Sequence, residues 1–374
     1  MSAAQRAASN MQQRQALLAS APRYTKNLGT FTSAGSTTRV KLFNVGVLTK
    51  LRLFVQVAVT IGVATAVASK KAPYNMISRL RLSDFDNTDR VNASGFQLFV
   101  WNCVRARTYY GANNESAVAV FTNPSVPTAV GAQTIAFFIE VPVAYDVDNP
   151  IVQLQDLRGS ILSQTAVGEM YLSIDWNQSL VSVAGDVDSV YSGAGTTTVV
   201  PNGTNYISCQ VWQDFLFPQN VGGQVPLPFD DLQTVYEAAG FVKSTDNIAV
   251  GQEKLLNYPN VRSVIGFYAN YIQAGTLTQG AVGTLRVIAN GNNIIQEDSE
   301  LSQLFKQRLI LNSDILPGVY FKSHRERPIE TVLFGNVQLG MTPLTAGGGN
   351  QYVEVMTEAF WVKGTALPGL QQAG

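Results

Sequence analysis

The sequence predicts an all-β chain folded as two eight-stranded jelly rolls, each with a short helix, behind a short N-terminal helical arm. Three observations point there. Aromatic and β-branched residues are plentiful, and 31 glycines and 15 prolines supply tight turns between short strands. Many separate runs alternate apolar and polar residues at period two. Each half also follows one plan, strands, an amphipathic helix ending in basic residues, then more strands, although no exact repeat is visible. A chain of 374 residues has room for two such sandwiches. The divisions read as residues 1–37 for a basic arm and linker, 38–204 and 205–364 for the two rolls, and 365–374 for a flexible tail.

In chain order, Ser2 to Ala19 is rich in Ala, Gln and Leu, with Ala7, Met11 and Leu18 at helical spacing, and Pro22 ends it. So short a helix is expected to order only against a partner. A Gly/Ser/Thr-rich linker runs on to Thr38. Leu51 to Ala68 is apolar between Arg52 and Lys70-Lys71 and invites a transmembrane reading. Its core from Leu53 is at the short end of the roughly 17–25 residues a span needs. Leu53, Val55, Val57, Val59 and Ile61 alternate with Phe54, Gln56, Ala58 and Thr60, so two strands turning near Gly62 fit better.

A strand at Ile77–Leu82 and an Asp-rich turn come next. Ser94 then opens a helix with Phe96, Phe99, Val100, Cys103 and Val104 on one face and Arg105 and Arg107 at its end. A strand pair is expected around Thr134 to Tyr145 and a strand at Met170–Trp176. The second half is expected to open with a strand at Ile207–Phe217, followed by Ser263–Ile272 and Gly283–Ala289. Its helix is capped near Asp298 or Ser299, with Leu301, Leu304, Phe305 and Leu309 on one face. Pro317-Gly318 turns the chain into Val319–Lys322. Ile329, Thr331, Leu333, Val337, Leu339 and Met341 then mark one face of a long strand, Gly347–Gly349 a hairpin loop, and Tyr352–Val362 a last strand.

Charge is sparse and uneven. Only 14% of residues are charged, against roughly 25% in an ordinary soluble domain, which suits surface buried against copies of the same chain. Twelve of the 26 Lys and Arg precede Asp84, the first acidic residue, leaving 14 basic residues against 26 acidic ones. One end of the chain is therefore expected to face an anionic partner, or else to neutralise the acidic remainder of the same fold. The early basic residues lack aromatic interleaving, so no sequence-specific nucleic-acid readout is expected.

Little catalytic chemistry is present. A Ser-His-Asp triad would have to use His324, the one histidine, and no Gly-x-Ser-x-Gly elbow accompanies it. Set between Lys322 and Arg325, which would depress its pKa, His324 reads as an exposed turn residue. Cys103 and Cys209 form no disulfide framework or metal motif, and Gly35-Ser36-Thr37 lacks a phosphate-loop lysine. No cofactor, metal or catalytic residue is expected. Asp84/Asp86/Asp89, Asp146/Asp148 and Asp186/Asp188 could build a calcium loop, but Asp89 and Gly95 stand where that loop needs Gly and Glu. They read as turn formers, with a glycosidase pair left open. Met1 to Arg14 has no apolar signal core, so the sequons at Asn92, Asn114, Asn177 and Asn202 read as chance matches.

Several stretches carry a family likeness: Arg79 to Phe85, Gly95-Phe-Gln-Leu-Phe-Val-Trp-Asn102, Glu140-Val-Pro-Val-Ala-Tyr145, Leu316-Pro-Gly-Val-Tyr-Phe321, Arg327-Pro328-Ile329 and Phe334-Gly-Asn-Val337. In their order and spacing the chain resembles the major capsid proteins of tectivirus-type bacteriophages, icosahedral viruses with a membrane inside the shell. The resemblance implies a structural, non-enzymatic coat protein of the virion capsid, made in the host cytoplasm. Three chains would form a pseudo-hexagonal homotrimer with strands upright to the shell, meeting other trimers, penton and minor capsid proteins. The basic arm, with Arg6, Arg14, Arg23 and Lys26, would lie toward the anionic inner membrane, and the tail would adapt between trimers. The rival reading is a carbohydrate-binding jelly-roll spike or tail protein, with Tyr109-Tyr110 as the nearest aromatic platform.

Overall fold

The computed structural model describes residues 3–63, 66–107, 126–148, 154–164, 168–182, 187–192, 199–221, 224–244, 250–258, 262–291, 293–312, 314–334, 336–344 and 351–362. Tyr109-Tyr110, Gly347–Gly349 and the 365–374 tail lie outside them.

The first half follows α1 (Ala3–Ser20) and comprises β1 (Arg23–Ser33), β2 (Thr38–Lys41), β3 (Val47–Ile61), β4 (Ile77–Ser83), β5 (Asp89–Ala93), α2 (Gly95–Ala106), β6 (Gly131–Pro142), β7 (Tyr171–Trp176) and β8 (Ile207–Leu216). After α3 (Phe229–Gln233) come β9 (Thr234–Ser244), β10 (Lys254–Asn257), β11 (Ser263–Gln273), β12 (Val282–Ala289), β13 (Asn293–Ser299), α4 (Glu300–Leu311), β14 (Val319–Ser323), β15 (Val337–Pro343) and β16 (Tyr352–Val362). The remaining strands are two- or three-residue accessories.

The pairings repeat. In the first half one antiparallel sheet runs β1–β8–β3–β6 and the other β2–β7–β4–β5. In the second half they run β9–β16–β11–β14 and β10–β15–β12–β13. Each strand of the first half thus has a counterpart eight strands later, and both halves are eight-stranded jelly rolls. A parallel contact of β5 with β9, through Val91 and Ala238, joins two of the four sheets into one across the halves.

Period two explains the strands. In β3 the set Leu51, Leu53, Val55, Val57, Val59 and Ile61 is fully buried and packs in the main core. The apolar run is therefore a central strand, and its alternation ends before Gly62. No helix among the described residues is long and apolar enough to cross a membrane. In α2, Ser94 accepts from the Gln97 amide at 3.2 Å while the Gln97 side chain accepts from the Ser94 amide at 3.1 Å, a reciprocal cap.

Several expectations change. Residues 23–33, expected as linker, form β1, because β8 offers a free edge from Arg23↔Leu216 to Ser33↔Ile207. For the same reason Ile207–Leu216, expected to open the second half, bonds to β1 and β3 of the first. The strand pair expected at Thr134–Tyr145 is the single strand β6, matched to β3 from Lys50↔Pro142 to Ile61↔Gly131. The long strand expected from Ile329 is interrupted: a short strand at Ile329–Glu330 gives way to a 3-10 turn at Thr331–Leu333 before β15.

Of the expected stripe Ala7, Met11 and Leu18, only Leu18 packs on the protein, partly buried, while Ala7 is exposed. Asn10, Arg14 and Leu17 face the protein, Leu17 in a small core with Ala21, Val47, Ala144 and Leu216, while Met11 is exposed. Its partner is its own chain. Asn10 and Arg14 both bond to Asp231 of α3, so a polar anchor replaces the apolar stripe that periodicity suggested.

α4 is inverted. Ser299 caps it as expected, but Glu300, Gln303, Gln307 and Leu311 are the buried positions. The cause is β14, whose backbone bonds to β11 on one side and to α4 side chains on the other. Gln307 accepts from the Phe321 amide at 2.9 Å and donates to the Val319 carbonyl at 3.0 Å, and Gln303 donates to the Phe321 carbonyl at 2.5 Å. Two amides spaced i, i+4 thus satisfy a strand edge whose buried polar groups would otherwise be costly. Leu301, Phe305 and Leu309, expected to face inward, are 77%, 63% and 69% exposed, while Leu304 of the same expected face is partly buried against the second core.

Candidate assembly surfaces

The joint between the two rolls is held by buried charge as well as by apolar contact. Lys71, 2% exposed, donates to Asp188 at 2.7 Å and to Glu354 of β16 at 2.9 Å. Asn270 of β11 donates to the second oxygen of Glu354 at 3.1 Å, and the Tyr352 hydroxyl to Asp188 at 2.5 Å. Burial opposes the charge on Lys71, yet Glu354 and Asp188 outweigh it and hold its pKa above the ordinary lysine value. Beside it, Lys70 donates to the Leu277 carbonyl at 2.9 Å. Two consecutive lysines of the first half therefore clamp the second.

A second cluster lies behind the joint. Glu358 is completely buried and accepts from the hydroxyls of Tyr236 and, at 2.7 Å, Tyr268, and from Arg325 at 3.2 Å. Burial pushes its carboxyl up, but Arg325 and the two hydroxyls prevail and keep it below the usual range. Gly266 of β11 leaves the space: a Cβ there would stand 2.5 Å from a Glu358 oxygen. Trp101 of α2 packs 5.7 Å from Tyr236, tying this cluster to the first roll.

The candidate acids are accounted for by neighbours. Asp84 is buried, accepts from the amides of Asp86 and Thr88 at 3.0 Å, and pairs with Arg90 at 2.8 Å. Asp148 pairs with Lys50 and Arg23, Asp146 forms a backbone bridge with Asp156, and Asp186 lies outside the described residues. No metal-binding cluster occurs among the described residues.

His324 is half-buried rather than an exposed turn residue. Its Nε2 has no hydrogen-bond partner among the described residues, and burial first, then Lys322, pushes its pKa down to about 4. Nearby Asp298 bonds to Lys322 at 2.8 Å and to Lys306. Burial raises its carboxyl, but the two lysines more than offset this and hold it at about 2. Both shifts make acid destabilising. Below pH 6.5 the unfolded histidine takes a proton that the folded one refuses, so stability falls by up to about 3 kcal/mol by pH 4. Asp298 adds a further loss as pH drops from 3.8 toward 2. Denaturant titrations across pH check this: in His324→Gln the slope between pH 6.5 and 4 flattens, and an unchanged slope would refute the assignment.

Of the four basic residues of the arm, Arg23 and Lys26 lie where β1 begins beside the end of β8, Arg6 and Arg14 lie on α1, and their partners differ. Arg6 is exposed on α1. Arg14 bonds to Asp231 through Nε and Nη2 at 2.5 and 2.7 Å, and burial lowers its pKa less than Asp231 and Asp156 raise it. Arg23 donates to Gln155 at 3.0 Å. Lys26 sits 3.9 Å above the ring of Phe43, and exposed Tyr24 stacks on Phe215 at 5.8 Å. Sequence reading missed the clamps at Lys71 and Glu358. A Lys-Lys pair inside a charge-poor chain was the available signal for the first.

Comparison with known proteins decides the class. The model of the P3 major capsid protein N-terminal domain matches residues 2–217, and that of its C-terminal domain residues 233–367. The chain belongs to the P3 major capsid protein family. It is 25% identical over 320 residues to major capsid protein P3 of Enterobacteria phage PRD1, covering 81% of this chain and 78% of that protein. It is thus a structural component of the virion capsid, and capsid proteins of this kind assemble by self-association. Its fold matches the major capsid protein of Sulfolobus turreted icosahedral virus with a TM-score of 0.66 at 13% identity, covering 92% of this chain and all of the other. It also matches the major capsid protein P2 of bacteriophage PM2 with a TM-score of 0.51 at 8% identity, covering 92% and 99%.

Proposed function

We propose that three copies of this capsid protein form a pseudo-hexagonal homotrimer that tiles an icosahedral shell over an internal membrane, without catalysing a reaction. The observation that carries this reading is the duplication. Two rolls with the same strand order and the same helix, fixed to each other by buried ion pairs, form a rigid two-lobed unit. Three such units supply six like lobes around one axis, and closed symmetric interfaces are the usual end of self-association. Penton and minor capsid proteins are the further partners in this reading. Images of the purified assembly are expected to have six-lobed hexagonal outlines, and a stable monomer would sink the trimer.

In the same reading the end carrying α1 faces the anionic membrane. Arg6, Arg23 and Lys26 offer exposed or partly exposed charge there, while Arg14 fastens the helix to Asp231. Exposed Tyr24, Phe43 and Phe217 beside them suit the headgroup region, where aromatic and basic residues gather. Each cation near such a surface contributes about 1 kcal/mol, so Arg6→Gln/Lys26→Gln is expected to bind anionic vesicles about 30-fold more weakly at low salt. Unchanged binding would remove the membrane from the proposal.

A further inference from the structure

We propose that the outer face of the β2–β7–β4–β5 sheet holds a tetrahedral oxyanion of the phosphate class, bound by Arg81, Arg79 and Arg39 with Ser173 and Asn92 beside them. The site lies on the wall of the first roll and depends on neither the trimeric nor the membrane-facing reading.

Alternation puts these side chains on one face. Val40, Leu80, Leu82, Leu172 and Ile174 turn into the main core and are buried, so the residues between them point outward. The register lines up one row across the four strands. Arg39 of β2 stands opposite Ser173 of β7, Ser173 opposite Arg81 of β4, and Arg81 opposite Asn92 of β5. Two strand spacings separate Arg39 from Arg81, about 10 Å, a gap that two arginine side chains close around one ion. Arg79 lies two residues before Arg81 on the same face and donates through Nε to Asn92 Oδ1 at 2.8 Å. With its oxygen so engaged, Asn92 offers the row its amide nitrogen, a donor.

Arg81 is the residue that points to a ligand. Every other buried or half-buried arginine among the described residues meets an acceptor, as Arg14 does Asp231, Arg52 Asp214, Arg90 Asp84, Arg262 Glu237 and Arg325 Glu358. Arg81 is half-buried and meets none among them, and its Nε is shut off from solvent without a hydrogen bond. A guanidinium so placed gives up hydration and gains no partner in return. The acids nearby are engaged elsewhere: Asp175 accepts from Thr37 at 2.8 Å, Asp89 from Ser83 at 2.7 Å, and Glu169 from Lys41 and Tyr171. Arg39 rests over the Tyr171 ring at 3.7 Å, an attraction that spends none of its N–H donors. The row therefore reads guanidinium, hydroxyl, guanidinium, amide, with no carboxylate in it. A tetrahedral oxyanion supplies the missing charge and accepts from several directions at once, and forked guanidinium groups match it. Bound there, it ties four strands of one sheet together.

The test titrates the full-length protein with inorganic phosphate by calorimetry, in chloride at constant ionic strength. Saturable binding is expected, with an unfolding midpoint that rises as the site fills. Arg81→Gln is expected to bind about 10-fold more weakly. Absence of saturable binding to the unmodified protein overturns the proposal, and so does equal binding by Arg81→Gln. Ser173→Asp gives a measurement that does not depend on Arg81→Gln folding. It sets a carboxylate between Arg39 and Arg81, and is expected to melt above the unmodified protein in chloride and to take up no phosphate. A Ser173→Asp chain that binds phosphate as the unmodified protein does overturns the assignment. Vesicles of phosphatidylglycerol separate the two sources of the oxyanion. If Arg81→Gln loses phosphate and keeps vesicle binding, the ligand is the free ion; if it loses both, the ligand is a lipid headgroup phosphate.

Discussion

Lys71→Met is expected to destabilise the folded chain by about 3–5 kcal/mol, the usual cost of removing one partner from a buried ion pair. The methionine fills the space and loses little packing. Glu354, however, keeps a buried charge with, among the described residues, only the Asn270 amide beside it, at 3.1 Å. Asp188 keeps its bond from Tyr352 and is partly exposed, so most of the loss falls on Glu354. Denaturant unfolding measures the effect. Lys71→Met/Glu354→Leu is expected to recover part of the stability, because it removes the uncompensated charge together with its partner. If the single variant costs under about 1 kcal/mol, as an exposed pair would, the clamp is not what holds the rolls together.

Glu358→Gln is expected to cost a similar amount, about 3–5 kcal/mol, for a different reason. The substitution preserves volume but removes the charge that balances Arg325. It also replaces one acceptor oxygen by a donor, so either Tyr236 or Tyr268 faces an N–H and loses its bond. Glu358 lies on β16 between β9 and β11, whose tyrosines both reach it, so the damage falls across the centre of the sheet that bears the joint. The measurement is again the unfolding midpoint. A variant as stable as the parent would mean that Arg325 finds water instead.

Some of this was legible in the residues and some was not, for physical reasons. β3 was legible because alternation reports which face is buried. α2 was legible because its stripe packs on apolar neighbours and its Ser94–Gln97 cap is local. In α4 the type and the start were equally clear, yet the face was inverted. Periodicity assumes that apolar residues point inward, whereas β14 needed hydrogen-bond partners that only Gln303 and Gln307 supply. The anchoring of α1 through Arg14 and Asp231 was hidden because the two residues are more than two hundred positions apart. The pairing of β8 with β1 and β3 was hidden likewise, since a strand's sequence carries its pattern and not its partner. In the trimeric reading the exposed apolar stripe of α4 is expected to be covered by another copy of the chain.

Hydrogen exchange tests that claim most directly, comparing the assembled protein with the dissociated Phe305→Glu/Leu309→Glu chain. The amides of β5 are expected to be protected in both, since β4 pairs with the strand and β9 meets it at Val91 within one chain. Those amides of β13 that point away from β12 are expected to be protected in the assembly and to exchange faster in the single chain, while the ones bonded to β12 stay protected in both. Equal exchange of β13 in the two states would contradict burial of this edge by a second copy.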